Sequence, residues 1–147
     1  MEKEYAYIAA ELKPEYIMEV YKLLGEAGVQ VPKHDLHTTI IYDERKIDKP
    51  LATLDPTREF RAHVTKLETL GDGIVFHLTS PDLNEEFRRL TEAGYKHSYG
   101  TPLPHMSIAY DFDKYDVMAV NSVFSDWGGR ELVFWKTDFG WKKPSKG

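Results

Sequence analysis

At 147 residues, 41% hydrophobic and 29% charged, the chain has the composition of one soluble globular domain. No apolar run is long enough to span a bilayer, Met1-Glu2-Lys3-Glu4-Tyr5 is no secretory leader, and with no cysteine there are no disulfides or thiolate metal sites, so a cytoplasmic protein is expected. A net charge of −5 argues against nonspecific binding of long DNA or RNA, but it leaves room for a small nucleotide in a local basic pocket.

Tyr5 to Leu12 alternates as a strand does, with Ala6, Ile8, Ala10 and Leu12 on one side and Tyr5, Tyr7, Ala9 and Glu11 on the other. Pro14 opens a helix over Glu15 to Ala27, where Ile17, Val20, Tyr21 and Leu24 share a face and Gly28 supplies the stop. Val29 to Leu36 connects to a strand, His37-Thr38-Thr39-Ile40-Ile41-Tyr42-Asp43. A polar loop with Lys46 and Lys49 follows, to Pro56. Glu59 to Leu70 and Ile74 to Thr79 form a hairpin about Gly71-Asp72-Gly73. Pro81 opens a second helix, Asp82 to Ala93, striped by Leu83, Phe87 and Leu90 and ended by Gly94. After a loop from Tyr95 to Pro104 comes a second strand, His105-Met106-Ser107-Ile108-Ala109-Tyr110-Asp111. Asp113 caps a third helix over Tyr115 to Phe124, Glu131 to Phe139 is a last strand, and Trp141-Lys142-Lys143 begins the tail.

This order contains a repeat. Strand, proline, helix, Glu-Ala-Gly, loop and histidine strand occur twice, with the prolines, triplets and histidines 67, 66 and 68 residues apart. The expectation is one domain over residues 1–147, made of two half-repeats at about 5–43 and 74–111. The predicted class is α+β: antiparallel sheets around a central cleft, helices outside, the halves related by a pseudo-two-fold axis.

Aligned from their histidines, the two motif strands share His, Ile, Tyr and Asp, with a hydroxyl residue two places after each His. Regular alternation puts His37 with Thr39, and His105 with Ser107, on a front face. It sends Thr38, Ile40 and Tyr42, and Met106, Ile108 and Tyr110, to the core. Two imidazoles across one cleft are what phosphodiester cleavage needs without a metal: one takes a proton from the attacking oxygen, the other gives one to the leaving oxygen. Thr39 and Ser107 then donate hydrogen bonds to the nonbridging phosphoryl oxygens. No cofactor is expected. Neither is a metal: His34 and His37 have zinc-like spacing but no third ligand at a recognisable interval. His63, His77 and His97 are read as structural or surface residues, with His77 lining the cleft if its strand pairs centrally. Asp43 and Asp111 are read as strand-ending residues.

His-x-Thr-Ile and His-x-Ser-Ile in matched halves resemble the signature of the 2H phosphoesterase superfamily, over roughly Tyr5 to Phe139. Tyr7-Ile8-Ala9-Ala10-Glu11-Leu12-Lys13-Pro14-Glu15 resembles the first strand and helix start of that family's RNA 2′,3′-cyclic phosphodiesterases. The resemblance implies a bilobal fold, metal-independent chemistry and catalytic roles for His37, Thr39, His105 and Ser107. In length and histidine spacing the chain is most similar to the phage anti-CBASS enzymes, which implies cleavage of cyclic di- or trinucleotide immune signals in the bacterial cytoplasm. Tyr5, Tyr7 and Trp141 are then candidates to stack the bases of such a ligand, with Lys142 and Lys143 near its phosphates. The competing readings are an enzyme acting on 2′,3′-cyclic phosphates at RNA ends, and a module that sequesters a nucleotide without cleaving it.

Overall fold

A computed structural model describes residues 5–32, 36–45, 47, 49–98 and 104–142. His34, Lys46 and Lys143 lie outside the described residues, as do the side chains of Tyr5, Trp141 and Lys142, so the zinc, loop and tail readings resting on them stay as expectations.

Six strands and three helices follow the expected order: β1 (Tyr5–Leu12), α1 (Pro14–Glu26), β2 (His37–Asp43), β3 (Phe60–Leu70), β4 (Gly73–Thr79), α2 (Pro81–Glu92), β5 (His105–Tyr110), α3 (Lys114–Val123) and β6 (Glu131–Lys142). Local chemistry sets the boundaries. Proline occupies the first turn of α1 and α2, and Ser80 Oγ accepts from the Leu83 N–H to cap α2. Asp113 and Asp116 cap α3 reciprocally, each carboxylate accepting from the other residue's N–H. The β3–β4 turn needs a left-handed residue, which Gly71 supplies with φ 60°.

All strand pairs are antiparallel, and the strands close into a ring in the order β1-β2-β5-β4-β3-β6. The expectation of sheets flanking a cleft is refined here: one continuous sheet carries both halves. The ring maps onto itself when β1, β2 and β3 are exchanged with β4, β5 and β6. A pseudo-two-fold axis therefore passes through the β2–β5 and β3–β6 seams. β3 follows the first histidine strand yet pairs with β4, and β6 follows the second yet pairs with β1. Each half lends its trailing strand to the other half's sheet.

One face of the ring is buried except towards the end of β3. Ala6, Ile8, Ala10 and Leu12 of β1 are 0–1% exposed, and Phe60, Ala62, Ile74, Phe76, Met106, Leu132 and Phe134 continue that face around the ring. They form one core with Val20 and Leu24 of α1, Leu83 and Leu90 of α2 and Val120 of α3. Phe76 stacks on Trp127 at 5.5 Å between ring centroids and meets Phe124 edge-on at 5.1 Å, which anchors the end of α3. The opposite face is only partly covered, and it holds the histidines.

Candidate functional site

The face is set by register. Tyr7, Ala9 and Glu11 of β1 pair with Tyr42, Thr39 and His37 of β2. Gly73, Val75 and His77 of β4 pair with Tyr110, Ser107 and His105 of β5. Paired residues of an antiparallel ladder point the same way, so all twelve share one face. β2 and β5 meet at a single bridge, Thr38 opposite Met106, reinforced by Thr38 Oγ1 donating to the His105 carbonyl at 2.9 Å. Both bridge residues face the core. On the other face, one step either side of the bridge, antiparallel geometry sets His37 alongside Ser107 and Thr39 alongside His105. Two imidazoles and two hydroxyls alternate around the pseudo-two-fold axis. All four side chains are partly exposed.

Both tyrosines at the fifth position after the histidines depart from the sequence reading. Tyr42 and Tyr110 were expected in the core, but they stand on the histidine face. A β-bulge occurs at the same motif position in each half: the β1–β2 register skips Ile40, and the β4–β5 register skips Ile108. One extra residue reverses the side-chain parity of everything after it. Tyr42 is 9% exposed and Tyr110 45%.

The first half is tightly furnished. The Tyr7 hydroxyl and Thr39 Oγ1 share a 2.9 Å hydrogen bond, and the Tyr7 ring meets His37 and Tyr42 edge-on, each at 6.3 Å. Burial raises the Tyr7 phenol above its ordinary value, the bond to Thr39 opposes this in part, and the nearby Tyr110 phenol adds to the rise. Tyr7 is therefore a neutral hydrogen-bonding partner that orients the Thr39 hydroxyl. The Tyr42 N–H donates to His97 Nδ1 at 3.0 Å, and burial lowers the His97 value although the charge of Asp43 works against it. This gives His97 the structural role expected of it. Asp43, 1% exposed, accepts from the Arg45 guanidinium and from the N–H groups of Arg45 and Lys96, tying the loop after β2 to the chain after α2. Asp111 ends β5 differently, in a left-handed conformation with φ 53° that Asp tolerates.

The second half has other neighbours. His77 stands opposite His105, with ring centroids 6.5 Å apart. β4 does pair centrally, so the condition for His77 to line this face is met. His77 Nε2 lies within hydrogen-bond distance of the Glu68 carboxylate at 2.7 Å, and Lys66 Nζ reaches the same carboxylate at 3.1 Å. Those bonds, Lys66 first and His77 second, hold the Glu68 carboxyl below its ordinary range.

Tyr7 thus lies in the histidine face, while Tyr5 pairs with Lys142 and Trp141 with Ala6 in the β1–β6 ladder. Sequence reasoning passed over Trp135. It pairs with Glu11, which pairs in turn with His37, and it is half-buried with Lys13 Nζ and Lys136 Nζ at 4.8 and 5.0 Å from its ring centroid. The reading of the last strand stopped at Phe139 and looked past it for an aromatic residue. Among the described residues no group of acidic and histidine side chains has metal-binding geometry, and no helix is long and apolar enough to cross a membrane.

Comparison with known proteins gives two matches. The family model described as "Anti-CBASS protein Acb1" matches residues 4–132. The chain is 32% identical over 114 residues to the anti-CBASS protein Acb1 of Escherichia phage RB16, an alignment covering 76% of this chain and 64% of that relative. The matched region thus spans just under two thirds of the relative's length.

Proposed function

This chain belongs to the anti-CBASS protein Acb1 family, and we propose that it is a metal-independent phosphodiesterase of the 2H type, cleaving 3′–5′ bonds in cyclic di- or trinucleotide immune signals. Its role is then viral immune evasion in the cytoplasm of an infected bacterium. The single observation that best supports the reading is the pair of equivalent His and hydroxyl sets, one from each half, on adjoining strands of one partly exposed face.

The chemistry runs through those groups. One imidazole, of His37 or His105, removes the proton from a ribose 2′-hydroxyl, whose oxygen attacks the neighbouring phosphorus. The other imidazole protonates the departing 5′-oxygen. The product carries a 2′,3′-cyclic phosphate, which water opens with the proton roles reversed. Each proton transfer is worth about 10²–10⁴-fold in rate. Thr39 and Ser107 donate to the nonbridging oxygens as negative charge shifts onto them, and hydroxyls held in place beforehand need no reorganisation. Thr39 is held by Tyr7. Tyr7 also offers an aromatic edge to a ribose or base, and Tyr5 and Trp141 remain candidates for base stacking.

The test uses the purified chain in EDTA with a 3′,3′-cyclic dinucleotide and, separately, an RNA ending in a 2′,3′-cyclic phosphate. Linear products from the first, absent with His37→Ala and His105→Ala, are expected. Turnover of the RNA alone would replace this reading with the RNA-end enzyme. Tight binding of the dinucleotide without turnover would replace it with a sequestering protein.

A further inference from the structure

The two-fold arrangement breaks down one strand away from the histidines. The position paired with His37 is Glu11, and beyond it stands Trp135. The corresponding position beside His105 is His77, and beyond it stands Lys66, its register partner on β3. One flank of the face therefore ends in a carboxylate and an indole, the other in an imidazole and an ammonium. His77 is not needed for two-histidine chemistry, nor is it buried in the core: its side chain is 16% exposed, and that of Lys66 is 61% exposed. Glu68 fixes the His77 ring from its Nε2 side.

We propose that His77 and Lys66 form a second phosphate subsite, which holds the uncleaved phosphodiester of a cyclic nucleotide while its neighbour is cut between His37 and His105. The inference rests on the phosphodiesterase reading above and adds to it a preference for substrates with at least two phosphates. Consecutive phosphates in a nucleotide ring are one sugar apart, and the His77 ring is 6.5 Å from the His105 ring. A carboxylate only accepts hydrogen bonds, so Nε2 donates to Glu68. A phosphate oxygen also only accepts, so Nδ1 must donate to it. The ring therefore binds phosphate as an imidazolium, taking up a proton where it is not already charged. Lys66 offers donors from the adjoining strand and can leave Glu68 for the phosphate. The ionisable groups around His77 are Lys66 and Glu68 on β3, His105 on β5 and, one register step towards the start of β3, His63 facing Glu131.

The experiment compares the unmodified chain with His77→Ala, His77→Gln and Lys66→Ala on two probes: a 3′,3′-cyclic dinucleotide, with two phosphodiesters, and a nucleoside 2′,3′-cyclic monophosphate, with one. The expected result is a KM for the dinucleotide raised about tenfold in each variant, kcat within about threefold, and unchanged kinetics on the monophosphate. Equal losses on both probes, or no loss on either, would overturn the subsite and leave the two-histidine chemistry standing. If the unmodified chain cleaves neither probe, the phosphodiesterase reading fails, and calorimetry with the same dinucleotide decides on the subsite. Affinity about tenfold weaker in Lys66→Ala and His77→Gln, with proton uptake abolished in His77→Gln, supports it. Undiminished affinity, or no binding to the unmodified chain, overturns it. Circular dichroism identifies any variant that fails to fold, and the exposed Lys66 supplies a substitution that leaves the core untouched.

Discussion

The two histidine strands have the same geometry and different surroundings. Each presents an imidazole, a hydroxyl two residues on, a bulge at the next isoleucine and a tyrosine beyond it. Around β2 the space is filled: Tyr7 bonds Thr39 and packs on His37 and Tyr42, and Asp43 is clamped by Arg45 and Lys96. Around β5 the place of Tyr7 is taken by Gly73, where an added Cβ would lie 3.6 Å from Ser107 Oγ and 3.5 Å from the Tyr110 ring. The two halves share the motif geometry that the proposed pair of proton carriers requires, and they differ in the packing around it. On the proposed reading, the first half supplies the more tightly packed side of the site, and the glycine leaves the side beside Ser107 less furnished.

The sharpest way to break the comparison is to remove each histidine. His37→Ala and His105→Ala should each lower kcat/KM on a cyclic dinucleotide by about 10²–10⁴-fold, and the double variant should lose far less than the product of the two. A single variant with near-normal rate would mean that the halves are not partners in one reaction. The strand-ending aspartates come next. Burial pushes Asp43 up, but the Arg45 guanidinium and the N–H groups of Lys96 and Arg45 prevail and hold it below its ordinary value. Its contribution is therefore present above the unfolded carboxylate range and is lost as pH falls through the folded value. Asp43→Asn should cost about 1–3 kcal/mol at neutral pH and flatten the acid limb of stability in denaturant titrations. Asp111→Gly, at φ 53°, should change stability by under about 1 kcal/mol.

Smaller effects sharpen the contrast. Tyr7→Phe removes the partner of Thr39 and should reduce kcat about three- to tenfold, by roughly 1 kcal/mol for a lost hydrogen bond. In a chain already carrying Thr39→Ala it should have little further effect, and additive losses would refute the orienting role. Gly73→Ala meets only ordinary contacts in a strand of unstrained backbone. It should be neutral to stabilising by about 0.5–1 kcal/mol, while raising KM by narrowing the space beside Ser107, which thermal melts and steady-state kinetics would separate.

Much of this was legible in the chain. Prolines, glycines and apolar stripes gave three helices and six strands within a residue or three of their ends, and the internal repeat paired His37 with His105. The bulges were not legible. Ile40-Ile41 and Ile108-Ala109 read as uninterrupted strand, because an apolar residue suits either side of a strand buried on one face and screened on the other. That parity error sent Tyr42 and Tyr110 to the core. The exchange of trailing strands escaped for a different reason. Phe60 to Leu70 pairs locally with β4, as a hairpin should, whereas its pairing with β6 spans some seventy residues and leaves no local trace. Glu11 was read as an ordinary strand residue and His77 as lining the cleft only on condition of central pairing, since the meaning of both comes from what stands across the ladder.

The crossing of β3 and β6 has a mechanical consequence. Neither half can swing away from the other without tearing a strand from each sheet, so the halves are clasped like linked hands. Melting should be a single cooperative event, and a fragment ending at Asp43 would have no trailing strand to lend and none to receive.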